Sequence, residues 1–183
     1  MKVGIFTGTF DPIHEGHIAL VHAAIKQCNL DKVFVIPERE PRGKVGVSPL
    51  QHRLAMASLA FPSANVTVTD VDAANVRLRD VRQLVVETDE LYLLLGTDVA
   101  FTLKTWPEFI VLKHSVHFAV GIRSDDDVRR IHTLMAHLEV PENRYTCIKT
   151  DSWSSTSSHV RESQRYSVAD IQKYIQSHSL YGV

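Results

Sequence analysis

Residues 3–36 read VGIFTGTFDPIHEGHIALVHAAIKQCNLDKVFVI and pass from a strand-like pattern to a helix-like pattern and back. The run 3–6 is short and apolar, as expected for a buried strand, and the segment after it is rich in turn residues. From His17 onward apolar residues recur at helical spacing, and Asn29 is a suitable helix stop. A second apolar run at 33–36 completes a strand-helix-strand unit, which predicts two parallel strands.

The same alternation continues through the rest of the chain. Short apolar or β-branched runs predict further strands at 66–71, 91–95, 116–122 and 145–148. Helices are predicted after Ser48, read as an N-cap with Pro49 at the first helical position, and along the apolar stripe at 128–138. Ser167 and Asp170 are predicted to cap a C-terminal helix at 167–181, packed on the body of the protein. The pattern predicts an α/β fold, a Rossmann-like doubly wound parallel sheet with helices on both faces and ligands beyond the carboxyl ends of its strands.

Composition narrows the class of protein. A chain of 183 residues favours a single domain over 1–183, and 44% hydrophobic residues exclude intrinsic disorder. Lys and Arg number 20 and Asp and Glu 21, so no global basic field exists to hold nucleic acid. Only Cys28 and Cys147 are present, which favours a cytoplasmic protein, and no apolar run is long enough to span a membrane. The oligomeric state stays open, a homo-oligomer included.

The loop before the first helix carries candidate chemistry. A helix that starts near His17 offers N–H groups and the positive end of its dipole to a phosphate. Gly8 and Gly16 allow close backbone approach, and His14 and His17 are spaced to point into one site. An isolated histidine would more often be an ordinary loop or helix-start residue, but two of them on this turn favour a function.

Gly-Thr-Phe-Asp-Pro at 8–12 and His-x-Gly-His at 14–17 resemble the signature of the nucleotidyltransferase superfamily. This superfamily includes the nicotinate mononucleotide, nicotinamide mononucleotide and phosphopantetheine adenylyltransferases. The resemblance implies catalytic roles for His14 and His17, which would hold the ATP phosphates. It also implies that the loop and the first turn bind ATP through Gly8, Thr9, Phe10, Gly16 and His17.

A second motif, at 155–161, resembles the Ile-Ser-Ser-Thr-x-Ile-Arg pattern of the family. Hydroxyls at a helix start with an arginine on the same face can form an anion clamp. The resemblance implies that Ser157, Ser158 and Arg161 bind ATP and that Arg161 is catalytic. A serine-rich helix cap beside a solvated arginine is the alternative reading of this segment taken alone.

Further matches lie in the middle of the chain and at its end. Gly96 and Asp98 match a Gly-x-Asp element that implies ATP binding, and the resemblance implies that Lys44, Trp106 and Thr7 bind the acceptor. Trp106 could equally be a core residue. The closing Tyr174 to Tyr181 segment resembles the C-terminal helix of the nicotinate mononucleotide enzymes and suggests a packing role.

Two features depart from the family pattern. Thr7 stands where the mononucleotide enzymes usually carry glycine, and residues 76–89 show no equivalent of the Tyr-Thr-x-x-Thr-Leu segment that helps to shape the acceptor pocket. Both departures bear on the acceptor pocket, so the acceptor stays open, whereas the motifs for adenylyl transfer do not depend on them.

The resemblance, to bacterial nicotinate mononucleotide adenylyltransferases in particular, implies transfer of AMP from ATP to a pyridine mononucleotide. Mg²⁺ would arrive with ATP, and no protein metal ligands are predicted. Three alternatives stay open: a phosphopantetheine adenylyltransferase, an enzyme for another small phosphate, and a nucleotide-binding module without turnover. A dehydrogenase is disfavoured because the first turn lacks Gly-x-Gly-x-x-Gly.

Overall fold

A computed structural model describes residues 1–150, 157–163 and 168–182. In this part of the chain the strands are β1 (Lys2–Gly8), β2 (Lys32–Pro37), β3 (Val66–Val68), β4 (Glu90–Gly96), β5 (His117–Ile122) and β6 (Tyr145–Lys149). The α-helices are α1 (Glu15–Cys28), α2 (Leu50–Ala60), α3 (Leu78–Arg82), α4 (Thr97–Ala100), α5 (Phe109–Ser115), α6 (Asp125–His137), α7 (Ser157–Ser163) and α8 (Ala169–Ser177). No described helix is long and apolar enough to cross a membrane.

The described strands form one sheet in the order β3-β2-β1-β4-β5-β6, and every pair of neighbours is parallel. This is the Rossmann strand order, so the expected fold class is confirmed. The chain reverses its direction of winding between β1 and β4, which lie side by side. Ligands of such sheets bind beyond the carboxyl ends of the strands at this switch point. The loop after Gly8 and the loop after Gly96 both start there.

Both faces of the sheet are covered. Successive residues of a strand point to opposite faces, so Ile5 and Leu93 enter one apolar cluster while Phe6 and Leu94 enter the other. The first cluster is completed by residues of α3 to α6, and the second by residues of α1, α2 and α8. Continuous apolar strands are the expected consequence of burial on both sides.

Local interactions define the ends of several elements. Helix α1 ends before Asn29, whose φ of 52° is the left-handed conformation common after a helix. Ser124 caps α6 by accepting a hydrogen bond from the Asp127 N–H at 3.2 Å. The third strand is shorter than the predicted 66–71, since β3 ends at Val68 on the edge of the sheet, where only β2 pairs with it.

Two predicted caps differ from the structure. Helix α2 begins at Leu50 with Pro49 as its N-cap, so Ser48 is not the cap. Ser48 instead makes tertiary contacts, because its N–H donates to the Asp11 carboxylate and its carbonyl accepts from Arg53. Asp170 lies in the first turn of α8 after the N-cap Val168, while Ser167 lies outside the described residues.

Candidate active site

The loop between β1 and α1 folds around the ring of Phe10, one of its own residues. A Cβ atom at Gly8 would lie 3.0 Å from the ring of Phe10, so glycine makes room for that ring. Phe10 has a φ of 50°, which is unusual for a residue other than glycine, and its side chain is only 2% exposed. Its ring meets those of Phe6 and His17 edge-on, with centroid distances of 5.0 and 5.1 Å. Phe10 therefore packs against the ring of His17 and helps to fix its position.

The two motif histidines form a stacked pair. Their ring centroids lie 3.7 Å apart at an interplanar angle of 28°. His14 is the N-cap of α1, and its backbone N–H donates to Nδ1 of His17 at 3.2 Å. Since Nδ1 of His17 accepts, the proton of the neutral ring resides on Nε2, which becomes a hydrogen-bond donor. Nδ1 of His14 is buried and finds no hydrogen-bond partner in the described part of the chain.

Both histidines are neutral at physiological pH. Burial, with a smaller effect of the Arg123 charge, lowers the pKa of His14 to about 4. Burial, followed by the proximity of His14, holds the pKa of His17 well below its ordinary value. A neutral imidazole donates one hydrogen bond and carries no charge, so any positive charge for a phosphate must come from neighbouring side chains.

Helix α7 is docked on the same loop. The Ser157 hydroxyl donates to the carbonyl of Pro12 at 3.0 Å. The guanidinium of Arg161 donates to the carbonyl of Asp11 and, at 3.3 Å, to the hydroxyl of Ser158. The structure thus brings the two sequence motifs together, although Ser155 and Thr156 lie outside the described residues.

A cleft of about 720 Å³, the histidine cleft, opens above this loop. Nearly all the residues predicted to bind ATP line it: Gly8, Thr9, Phe10, His17, Gly96, Asp98, Ser157, Ser158 and Arg161, together with His14. Gly16 is the exception, because it is buried in the first turn of α1 and does not reach the cleft wall. Lys44, for which the resemblance implied acceptor binding, also lines this cleft. Its loop turns at Gly43 and Gly46, each with a φ of 66°.

Asp98 has a partner that the sequence analysis did not identify. The Arg123 guanidinium donates to Oδ2 of Asp98 at 3.3 Å, and both side chains line the histidine cleft. Arg123 is the first residue after β5, so it occupies the carboxyl edge of the sheet next to the end of β4. A polar residue directly after an apolar strand is the signal that could have revealed it.

A second cleft of about 300 Å³, the tryptophan cleft, adjoins the first. The two clefts share Thr7, Gly8, Thr9 and Val99 as lining residues. Trp106 lines the second cleft, also packs on the apolar core, and donates from Nε1 to the Thr102 hydroxyl at 3.0 Å. Both readings of Trp106 therefore have support. The segment that lacks the family pattern contributes Val76, Arg77, Leu78 and Val81 to the wall.

Buried Arg53 holds the loops of both clefts in place. It is 2% exposed, and its guanidinium donates to the carbonyls of Thr9, Glu38 and Ser48 at 3.0, 2.8 and 2.8 Å. Burial lowers the pKa of Arg53, while Asp11 is the largest of the effects that raise it. The arginine thus connects the loop after β1 to the loop after β2.

Comparison with known proteins agrees with this geometry. Residues 5–166 match the family described as cytidylyltransferase-like. The chain belongs to the cytidylyltransferase-like family.

Proteins that are similar to this chain in sequence or structure carry consistent names. A probable nicotinate-nucleotide adenylyltransferase of Albidiferax ferrireducens is 31% identical and covers 98% of each chain. One of Solibacter usitatus is 36% identical over 67% of this chain and 70% of that protein. Among solved structures, a Plasmodium falciparum nicotinic acid mononucleotide adenylyltransferase complexed with NaAD has a TM-score of 0.70 at 20% identity. It covers 98% of this chain and 97% of that one. The expected resemblance to nucleotidyltransferases is confirmed.

One more residue lines the histidine cleft. The sequence suggests only a packing role for Tyr181, yet this residue lines the histidine cleft and its hydroxyl contacts Asp11. It lies in a short 3₁₀ segment, Leu180–Gly182, with a φ of 60°. No local sequence pattern could predict this role, because its partner, Asp11, lies near the other end of the chain.

Proposed function

We propose that this chain transfers the adenylyl group of Mg-ATP to the phosphate of nicotinate mononucleotide, giving deamido-NAD and pyrophosphate, in the cytoplasm. One observation carries the proposal: a cleft with stacked histidines and charged side chains meets a more apolar cleft with a tryptophan along Thr7, Gly8 and Thr9. Two substrates bound in adjoining clefts can react across this shared edge. The printed names of the relatives and of the solved structures support the same reaction.

The proposed step is an in-line displacement. A phosphate oxygen of the mononucleotide forms a bond to the α-phosphorus of ATP as the bond to the bridging oxygen breaks and pyrophosphate leaves. The second pKa of a phosphate monoester is about 6, so the nucleophile is already largely dianionic at neutral pH and needs no protein base. Catalysis then consists of positioning and of stabilising charge on the transferring and leaving groups.

The side chains of the histidine cleft suit these roles. His17 would donate from Nε2 to a phosphate oxygen without adding charge. Lys44, Arg123 and Arg161 supply positive charge on the same cleft. Asp98, positioned by Arg123, would accept hydrogen bonds from ribose hydroxyls.

Mg²⁺ would enter as part of the substrate. The described residues contain no group of three or more His, Cys, Asp or Glu side chains that could hold a metal ion. Magnesium bound to substrate phosphates keeps several waters and needs few protein ligands. It would neutralise charge on the β- and γ-phosphates, and removal of Mg²⁺ by chelation should stop the reaction.

Release of pyrophosphate from Mg-ATP tests the proposal directly. The purified chain is supplied in parallel with nicotinate mononucleotide, nicotinamide mononucleotide and phosphopantetheine. We expect release with the pyridine mononucleotides, faster with the nicotinate form. Release with phosphopantetheine alone would replace the proposed acceptor. ATP binding without release in any arm would indicate a nucleotide-binding module.

A matched pair of variants links this activity to the cleft. H17A removes the proposed phosphate donor, whereas H114A removes an exposed histidine of α5 outside both clefts. Loss of release in H17A with full activity in H114A is the expected result. Equal activity of both variants would remove the histidine cleft from the proposal.

A further inference from the structure

The tryptophan cleft contains one charged side chain that pairs with no other side chain in the described part of the protein. Arg77 lines the cleft directly before α3, in the segment that departs from the family pattern. Its backbone N–H donates to Asp80. Arg77 is exposed, and its guanidinium makes no hydrogen bond or ion pair with another side chain among the residues that the structure describes. An uncompensated positive charge on a cleft wall favours an anionic group on the ligand.

The other charged residues of this cleft are already engaged. Oε2 of Glu108 accepts from the backbone N–H of Leu78 at 3.1 Å. Nε of Arg42 donates to the side-chain oxygen of Asn75 at 2.7 Å. Glu38 lies close enough to Arg42 for the two charges to interact. Glu38, Arg42 and Glu108 therefore each have a partner among the described residues, whereas no side chain that the structure describes pairs with the Arg77 guanidinium.

The position of Arg77 relative to Trp106 is set by contacts on the same wall. The Glu108 side chain connects the start of α3 to the segment that follows Trp106. The indole is held in turn by its hydrogen bond to Thr102. An acceptor whose phosphate reaches the shared edge at Thr7 to Thr9 would extend its aromatic ring toward this wall.

We propose that Arg77 binds the ring carboxylate of the acceptor and selects an acidic pyridine mononucleotide over its neutral amide. This inference rests on the function proposed above. A guanidinium presents a fork of N–H groups that matches a carboxylate with two parallel hydrogen bonds. An amide has no charge and offers a single oxygen to the same fork, so the contact discriminates between the two acceptors.

Specificity constants for both acceptors test this assignment. The ratio of kcat/KM for nicotinate over nicotinamide mononucleotide is measured in the wild type and in R77Q, R77K and R79Q. We expect R77Q to lower the ratio about tenfold, because kcat/KM for nicotinate mononucleotide falls while kcat/KM for the amide does not. The effect is moderate because Arg77 is exposed. R77K, which keeps the charge without the fork, should fall between wild type and R77Q. R79Q is the matched control, since Arg79 is paired with Asp80 and does not line the cleft.

The outcomes separate this inference from the proposed function. An unchanged ratio in R77Q, or an equal loss with both acceptors, would overturn the role of Arg77 while leaving adenylyl transfer intact. A wild type that releases pyrophosphate with neither acceptor would overturn the proposed function. Calorimetric titration of the two mononucleotides then tests Arg77 independently of turnover. Tighter binding of the nicotinate form, lost in R77Q, would support the role of Arg77. Equal binding of the two mononucleotides to the wild type would refute it.

Discussion

The hydroxyl of Tyr181 donates a hydrogen bond to Oδ1 of Asp11 at 2.6 Å, across 170 residues of sequence. Oδ2 of the same carboxylate accepts from the backbone N–H of Ser48 at 3.2 Å, and the Asp11 carbonyl accepts from Arg161. Burial and the bond to Asp11 raise the pKa of Tyr181, so the hydroxyl keeps the proton that it donates. Asp11 thereby joins the loop after β1 to three separate parts of the chain.

Replacing Tyr181 by phenylalanine removes the hydroxyl, with its hydrogen bonds to Asp11 and Ser48, and keeps the ring. We expect Y181F to lower the free energy of unfolding by about 1–2 kcal/mol and to slow pyrophosphate release severalfold, because the Asp11 turn loses a support. Denaturant titration and steady-state rates provide the two readouts. Y174F is the control, since the Tyr174 hydroxyl contacts His52 away from both clefts. Full activity of Y181F would show that the contact serves stability only.

Substitution of His17 by alanine should separate turnover from binding. We expect kcat to fall by about 100-fold or more, because a donor to the transferring phosphate is lost, while the Kd of ATP changes far less. Single-turnover rates and calorimetric ATP titration measure the two effects. Unchanged turnover would remove His17 from the catalytic role.

His14 should make the fold sensitive to acid. Its pKa is about 4 in the folded chain and about 6.5 when unfolded, so the unfolded state binds more protons between these values. The free energy of unfolding should therefore fall as pH drops through this window, by about 1.4 kcal/mol per pH unit from this residue.

Stability measured against pH checks this contribution. The slope between pH 6.5 and 4 should be smaller in H14Q than in the wild type, whereas H114Q should follow the wild type. Parallel curves for H14Q and wild type would contradict the low pKa of His14.

Removal of Arg161 should weaken ATP binding. R161A loses a positive charge on the histidine cleft and the bonds to Asp11 and Ser158. We expect the Kd of ATP to rise about 10- to 100-fold, with partial recovery in R161K. R129A, which removes an exposed arginine of α6, should bind ATP as the wild type does. If R161A binds ATP normally, Arg161 only docks α7.

Replacement of buried Arg53 by methionine should destabilise the whole fold. The carbonyls of Thr9, Glu38 and Ser48 would lose their donor in a buried setting, at a cost of about 3 kcal/mol or more. Chemical denaturation measures the loss. R39M is a suitable comparison, because the Arg39 guanidinium pairs with Asp70 near the surface and should contribute less. Equal losses in the two variants would refute the central role of Arg53.

Much of the architecture could be predicted because its signals are local. Apolar runs, helical spacing and the turn after β1 lie within a few residues of the elements that they define, so the parallel sheet and the His14–His17 turn were predictable. Short-range geometry also explains the success at Asn29, where the cap contacts its own helix. Ser48 shows the limit, because tertiary partners compete with a local cap and decide its role.

Sequence alone determined which residues carry the chemistry of the first motif and on which kind of loop they lie. Tertiary structure decided that Lys44 faces the histidine cleft, that Arg123 pairs with Asp98, and that Tyr181 reaches Asp11. The physical reason is the strand order, which sets the carboxyl ends of β1 and β4 side by side and brings distant loops into contact. Contacts between such loops depend on the assembled sheet, and no local pattern of residues encodes them.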